Sequence, residues 1–390
     1  MRIGVVGGGP AGLYFALLMK RQDPAHRIRV VEQNAAGATY GWGIVFSGRA
    51  LAFLAEGDPV VHRDVAPRLQ TWDDQAIVHR GQPVRVDGSG FAGMSRLDLL
   101  AILQDHCRRR GVELHFGQRL TDLAALADCD LVVGADGVNS VVREAYREHF
   151  QPTLAVLSNR YAWYGTTRPF DCLTLTFRRH RDGVFVAHHY RHSAAASTVV
   201  VECDAATWTA AGLASMPEDE RRRYCEAVFR DDLGGHPLLG GSARWHSFRA
   251  VSNRRWHHGN AVLIGDALRT VHFSIGSGTR MAIEDAIVLA RAFANHPDVP
   301  AALRAFEAAR RPAVEELLRV AARSSTWYED VRAKMDLDPP AFAYDYLMRS
   351  GRISHERLRQ RSPRFVADYE AYRASERVPS PTGSARGGKT

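Results

Sequence analysis

The sequence predicts an α/β fold in which a parallel-sheet domain is interrupted by an inserted β-sheet domain and followed by C-terminal helices. Three observations predict it. Short apolar, β-branched runs at residues 3–6 and 28–31 flank a helical stretch at 11–20, the strand, turn, helix, strand order of a parallel unit. Between about residues 154 and 251 the pattern changes to strand-length segments (173–177, 184–189, 198–202) separated by turn residues such as Arg181-Asp182-Gly183. An apolar strand then returns at 261–264, followed by a glycine-rich turn and a long helix over 277–294, so the first domain is discontinuous in sequence.

The remaining elements follow in order. Residues 96–110 read as a helix stopped by Gly111, with a strand at 112–116 and a buried strand at 130–133. The expected boundaries are 1–72, 91–153 and 244–295 for the first domain and 73–90 with 154–243 for the inserted β-rich domain. A helical region over 296–376 follows, and then a Pro, Ser, Gly and Lys-rich tail, 377–390, expected to be disordered.

Composition narrows the function classes. At 390 residues, 45% hydrophobic and 24% charged, the chain can bury a large core. Lys and Arg exceed Asp and Glu by 51 to 43, which favours an anionic substrate or cofactor. The clusters Arg108-Arg109-Arg110, Arg221-Arg222-Arg223 and Arg254-Arg255 carry no interleaved aromatic platform, so they read as solvated faces, and nucleic acid is not an expected partner. Five scattered cysteines with no C-x-x-C pair argue against a disulfide framework or a metal site and fit a reducing cytoplasm. Residues 2–19 superficially resemble a signal peptide but are broken by three glycines and a proline, and no apolar run reaches the roughly 18 residues of a membrane span. A cytoplasmic protein with no membrane partner is expected.

Three motifs carry the chemistry. Gly7-Gly8-Gly9-Pro10-Ala11-Gly12 is a G-x-G-x-x-G between strand and helix: Gly7 permits the tight turn, Gly9 lets a pyrophosphate approach the backbone, and Gly12 lets helix and strand pack closely. The helix start offers unpaired N–H groups to phosphate. Glu32, with Gln33 beside it, ends the second strand where a carboxylate can accept from a ribose diol. Together these predict a Rossmann-like dinucleotide site. The second motif places Asp136-Gly137 just past a buried strand, with Ser140 and Arg143 on the next helix. The third, Gly265-Asp266, sits at another strand end before Gly276-Ser277-Gly278-Thr279, which opens the long helix; Asp266 could accept from ribityl hydroxyls.

In this order and spacing the three motifs resemble the single-component FAD-dependent aromatic hydroxylases, the group A flavoprotein monooxygenases with the p-hydroxybenzoate hydroxylase-like fold. Residues 40–47 (Tyr40-Gly41-Trp42-Gly43-Ile44-Val45-Phe46-Ser47), 90–96, 272–279 and 342–353 are similar to the salicylyl-CoA 5-hydroxylase, anthraniloyl-CoA monooxygenase and VioD-like group. Long members of that group append a reductase-like barrel, so a second, reductive activity is not expected of this chain. Two positions depart from the group: Arg269 stands where it usually has histidine, and Gly48 where it has an acidic residue.

The resemblance implies FAD as cofactor, NADH or NADPH as co-substrate, and O2 transferred through a C4a-hydroperoxide to an electron-rich ring, with the cofactor carrying the difficult steps. It implies that Arg96 contacts the pyrophosphate or ribityl chain and that Asp136 and Arg143 support the dinucleotide. The helix start at Gly276, Gly278 and Thr279 suits the flavin pyrimidine edge. His272 has two readings: it orients substrate or shuttles a proton, or it is a loop histidine bonded to backbone. His188, His189 and Tyr190 default to sheet surface, while Trp163, Tyr164 and Phe185 line an aromatic pocket or fill the core. The substrate is expected to be an aromatic acyl-CoA, or an indolic or related aromatic metabolite. Halogenases carry a W-x-W-x-I-P segment and Baeyer-Villiger enzymes a second glycine fingerprint; this sequence has neither. A dinucleotide-binding sensor without turnover is the alternative from another class.

Overall fold

The computed structural model describes residues 1–38, 41–240 and 244–376; the expectations for Tyr40, for the junction at 241–243 and for the tail lie outside the described residues. The first domain is a six-stranded sheet centred on Arg2–Val6. That strand pairs in parallel with Arg27–Val31 on one side and Leu131–Gly134 on the other. Glu113–His115 and Ala261–Leu263 extend the parallel array outward, and the short strand His257–His258 closes one edge antiparallel. The central strands are near-continuous apolar runs because helices cover the sheet. Helix Pro10–Gln22 packs against Gly278–Asn295 and against Arg96–Arg109.

The second sheet has eight strands. Pro152–Thr166, Ser197–Cys203, Gly183–Arg191 and Leu173–His180 form an antiparallel run, and the early hairpin Gln75–His79 and Gln82–Val86 joins it in parallel with Leu173–His180. His246–Asn253, expected in the first domain, pairs instead with Pro152–Thr166 in this sheet. The long strand explains why: Ser197–Cys203 covers only its 160–166 half, and the backbone groups of 152–156 need another partner. A three-stranded antiparallel sheet of Gly43–Ser47, Phe91–Ser95 and Gln70–Trp72 links the two units, and the Tyr190 hydroxyl donates to the Gly43 carbonyl at 2.8 Å.

Strand alternation gives the second sheet two faces. Ala162, Tyr164, Phe185, Val199 and Val201 are buried on one, under the helices Ala205–Ala210, Glu218–Val228 and Arg230–Leu233, which the sequence reading did not anticipate. The other face carries Leu175, Phe177 and Val186, packed on Trp327, Tyr328, Phe342 and Tyr346 of the C-terminal helices Val299–Glu329 and Pro339–Met348. Further along that second face stand Tyr161, Trp163, His188 and Glu202. No helix among the described residues is long and apolar enough to cross a membrane.

Candidate active site

The carboxyl ends of the parallel strands open on a cleft of about 440 Å³ lined by Gly7, Gly9, Pro10, Ala11, Glu32, Gln33, Arg96, Asp136, Asp266, Gly278 and Thr279. The glycines there do different work. Gly7 has φ 109°, and a Cβ on it would collide with the Ala135 carbonyl; a Cβ on Gly12 would collide with the Gly7 carbonyl oxygen. Gly9 has φ −77°, which any residue can adopt, and a Cβ there would meet nothing within 4 Å. What Gly9 keeps clear is space in the cleft.

Two helices begin at this cleft, Pro10–Gln22 after Gly9 and Gly278–Asn295 after Ser277, and neither has a side-chain cap. Their first-turn amides and positive dipole ends therefore face the cleft without a side-chain acceptor. Glu32 is fixed at one end: Oε2 accepts from the Gly8 amide at 2.7 Å and Oε1 from the Asn34 amide at 2.8 Å. Oε1 also accepts from Asn34 Nδ2 at 2.6 Å, so Oε2 is the oxygen that keeps a lone pair for a diol.

Asp136 accepts from the Val141 amide at 2.6 Å through Oδ2, while Oδ1 is buried without a partner. Burial pushes its pKa up. Asp266 is exposed on the cleft wall but recessed in the fold; that seclusion raises its pKa, with Arg269 and Arg96 pulling the other way. Arg96 opens helix Arg96–Arg109, and its Nε is buried without a partner. Burial pulls its pKa down while Asp266 and Tyr190 oppose the shift.

Orphaned polar atoms, an open glycine position and two uncapped helix starts on one cleft fit a long polyhydroxylated pyrophosphate such as FAD.

Four expected residues are not in the lining. Gly12 packs helix on strand. Gly276, at φ 56°, ends the turn Phe273–Ile275 so that the long helix can start. Arg143 is buried and donates to the Ala267 carbonyl at 3.0 Å and the Val138 carbonyl at 2.6 Å, so it ties the Asp-Gly turn to the Gly-Asp turn instead of reaching the cleft. His272 lies beyond the cleft, in the loop facing the second sheet. Asn34, Gln104, Phe116, Gln118 and Arg119 line the cleft from outside the glycine and aspartate motifs, so no spacing signalled them, and Asn139 lines it from inside the Asp-Gly motif, where no role was expected of it.

The departures also have places. Arg269 is 2% exposed and pairs with Asp285 at 2.7 Å, beneath the Gly265-Asp266 turn and away from the sheet face. A Cβ on Gly48 would meet only the Gly90 carbonyl, at 3.7 Å, an ordinary contact.

Beside the loop the second sheet makes an aromatic wall. Phe273 lies 4.7 Å from Tyr161, 5.5 Å from His188 and 6.0 Å from Trp163 between ring centroids, and His272 lies 4.8 Å from Phe248. Trp163 and His188 are therefore on the loop side, whereas Tyr164, Phe185 and His189 face the opposite core. Glu202, 1% exposed, accepts from Asn159 Nδ2 at 2.8 Å and stands 3.5 Å from His188 Nε2. These donors and His272 hold its carboxyl below the usual range despite burial. The one acid in the apolar run of Ser197–Cys203 was its sequence signal. His272 Nδ1 is 2.8 Å from Ser274 Oγ, and burial lowers its pKa to about 4.

Residues 99–321, more than half of the chain, match the FAD binding domain family. The chain is 39% identical over 377 residues to salicyloyl-CoA 5-hydroxylase from a Streptomyces species, covering 94% of this chain and 72% of that protein. It is 38% identical over 352 residues to protodeoxyviolaceinate monooxygenase from Chromobacterium violaceum, covering 89% and 94%. The crystal structure of 2-methyl-3-hydroxypyridine-5-carboxylic acid oxygenase superposes with a TM-score of 0.67 at 20% identity, over 90% of this chain and 93% of that one, which shows the same fold. With its cleft, its helix starts and these relatives in agreement, the chain belongs to the FAD binding domain family, among the flavin-dependent aromatic monooxygenases.

Proposed function

We propose that FAD lies along the cleft with its pyrophosphate at the start of Pro10–Gln22, its adenosine ribose at Glu32, its ribityl chain by Arg96 and Asp266, and its pyrimidine edge at Gly278 and Thr279. We further propose an aromatic acyl-CoA thioester as substrate. When bound, the flavin takes electrons from NADH or NADPH and passes one oxygen atom of O2 to the substrate ring. The chain's own residues orient and seclude. Uncapped amides at Gly278 and Thr279 suit negative charge on the reduced cofactor. Tyr161, Trp163 and Phe273, half-buried and inclined to one another, offer the ring an apolar wall of edges and faces.

The observation that carries this reading is the aromatic wall of the second sheet against Phe273, on the loop that leads from Asp266 to the uncapped helix. The thioester is supported by the surplus of eight positive charges and by the salicyloyl-CoA hydroxylase relative. The same wall would also seat an indolic ring, in keeping with the protodeoxyviolaceinate relative. The five buried thiols, free among the described residues, suit a reducing cytoplasm.

The test is product formation by yellow, FAD-loaded protein with NADH or NADPH, offered benzoyl-CoA-type thioesters, the free acids and tryptophan derivatives. Thioesters should accelerate NAD(P)H oxidation and appear hydroxylated; turnover confined to free acids or indoles overturns the thioester assignment.

A further inference from the structure

We propose that His272 serves the substrate as a hydrogen-bond donor through Nε2–H, its tautomer fixed by a one-way hydrogen-bond chain from Arg349 through Ser324 and Ser274. This deepens the reading of the Tyr161, Trp163 and Phe273 wall as the substrate site and rests on it. The acceptor would be a carbonyl or phenolate oxygen on the aromatic substrate. Arg349 belongs to the segment 342–353, whose similarity to the acyl-CoA hydroxylase group the cofactor site leaves unused.

The direction of the chain follows from what each group can do. A guanidinium only donates. Arg349 is stacked over the Tyr346 ring at 3.9 Å; its Nε donates to Ser324 Oγ at 3.0 Å, its Nη1 to the Tyr346 carbonyl at 2.8 Å and its Nη2 to the Ser274 carbonyl at 2.7 Å. Ser324 Oγ is 2.8 Å from Ser274 Oγ, which is 2.8 Å from His272 Nδ1. Were Ser274 to donate to Ser324, the Ser324 proton would be left in a fully buried site without an acceptor, at a cost of about 1–3 kcal/mol. A proton on Nδ1 would also oppose the Ser274 amide, which points at Nδ1 from 3.3 Å. Both conflicts vanish when Ser324 donates to Ser274 and Ser274 to Nδ1. The imidazole proton then sits on Nε2, which has no hydrogen-bond partner among the described residues.

The Ser274 amide, donating to Nδ1 at 3.3 Å, makes His272 a loop histidine bonded to backbone, and within the functional reading the same chain separates orienting a substrate from shuttling a proton. Its far end is a permanent cation, so it offers a proton no acceptor and cannot serve as a shuttle to solvent. The ring is also neutral at physiological pH. Burial holds its pKa to about 4; Glu202 and Glu329 favour the charged form, His188 and Arg349 oppose it, and burial dominates. A neutral, fixed donor orients an oxygen acceptor, so His272 is a positioning residue and not a general base.

The experiment uses the FAD-loaded full chain with 15N-labelled histidine, read by long-range 15N–1H correlation and by product formed per NAD(P)H consumed. The expected result is an Nε2-protonated His272 that does not titrate between pH 6 and 8.5, scrambled towards the other tautomer in Ser324→Ala and Arg349→Gln and restored in Ser324→Thr. His272→Gln, whose amide reaches the Nε2 position, should recover on the order of ten-fold more product per NAD(P)H than His272→Asn, the worth of one hydrogen bond. An Nδ1-protonated ring, or a product yield governed by an ionisation near pH 6–7 that His272→Gln abolishes, overturns the proposal. A fixed Nε2–H tautomer with equal yields from the Gln, Asn and unaltered proteins overturns donation to substrate while leaving the FAD site intact, because flavin content reports that site separately.

Discussion

Gly9 and Gly12 stand three positions apart in one motif, yet the structure assigns them opposite kinds of importance. Gly12 is fixed by a carbonyl oxygen of its own fold, whereas Gly9 is bounded by open cleft. Gly9→Val is therefore expected to keep the stability of the cofactor-free fold to within about 1 kcal/mol and to lose FAD, while Gly12→Ala should cost about 3 kcal/mol or more through overpacking against backbone. Denaturant midpoints of flavin-stripped protein and flavin content by absorbance check both; a Gly9→Val protein that retains stoichiometric flavin removes the pyrophosphate from this position. The glycines and Glu32 were legible in the sequence because their roles are set by backbone geometry within one local unit. Arg143 was not, because whether a buried arginine reaches a ligand or a neighbouring turn depends on Ala267, 124 residues away. Ser324 was hidden for the same reason, its partner Ser274 coming from a distant loop, whereas Glu202 stood out only as an acid in an apolar strand, with its partner Asn159 on another strand.

The elements around the Gly265-Asp266 turn are held by one carboxylate. Asp285, on helix Gly278–Asn295, is fully buried; Oδ2 accepts from the Gly265 amide at 2.9 Å and is ion-paired with Arg269 at 2.7 Å, and Oδ1 accepts from Arg310 of helix Val299–Glu329 at 2.9 Å. Arg310 is also paired with Glu284 at 2.7 Å. Asp285→Ala would take both acceptor oxygens from these donors and leave buried guanidinium charge uncompensated, a loss of about 3–5 kcal/mol. Because the Gly265 amide is released, Asp266 loses its fixed approach to the cleft, so FAD affinity should fall with stability. Urea midpoints and flavin titration measure the two effects; a variant with unchanged flavin affinity would show that the turn holds its shape without Asp285. Element prediction succeeded where the signal is local, as for the first strand, helix and second strand. It missed the helices at 205–233, where short length and charge hide the pattern: in Glu218–Val228 the cluster Arg221-Arg222-Arg223, expected as a solvated face, ties that helix down through bonds from Arg221 to the Leu213 carbonyl at 2.7 Å and from Arg222 to the Leu238 carbonyl at 3.2 Å. It also misplaced His246–Asn253, since a strand's sequence does not record which sheet edge lacks a partner.

At the scale of the whole molecule, neutral buried imidazoles couple stability to pH. Burial lowers the pKa of His189 to about 3 and of His192 and His272 to about 4, from an ordinary value of 6.5. In each case the unfolded chain takes up a proton that the folded chain refuses, so the stabilisation is complete above about pH 6.5 and drains away as pH falls towards the folded value. His189 makes the cleanest test because it is fully buried between Phe170 and Phe229 and neither ring nitrogen has a hydrogen-bond partner. His189→Leu removes both the unsatisfied atoms and the proton-linked penalty. At pH 7.5 the variant should match or exceed the original protein by about 1 kcal/mol. At pH 4.5, two units below the ordinary imidazole pKa, its advantage should grow by roughly 2–3 kcal/mol. Differencing the two proteins at each pH cancels the carboxylates that titrate nearby, including Asp136 and Asp266, whose raised pKa values act in the opposite sense. A stability gap that stays constant from pH 7.5 to 4.5 would mean that His189 is protonated in the folded protein, and its two nitrogens would then have to be donating to groups that the fold does not place beside them.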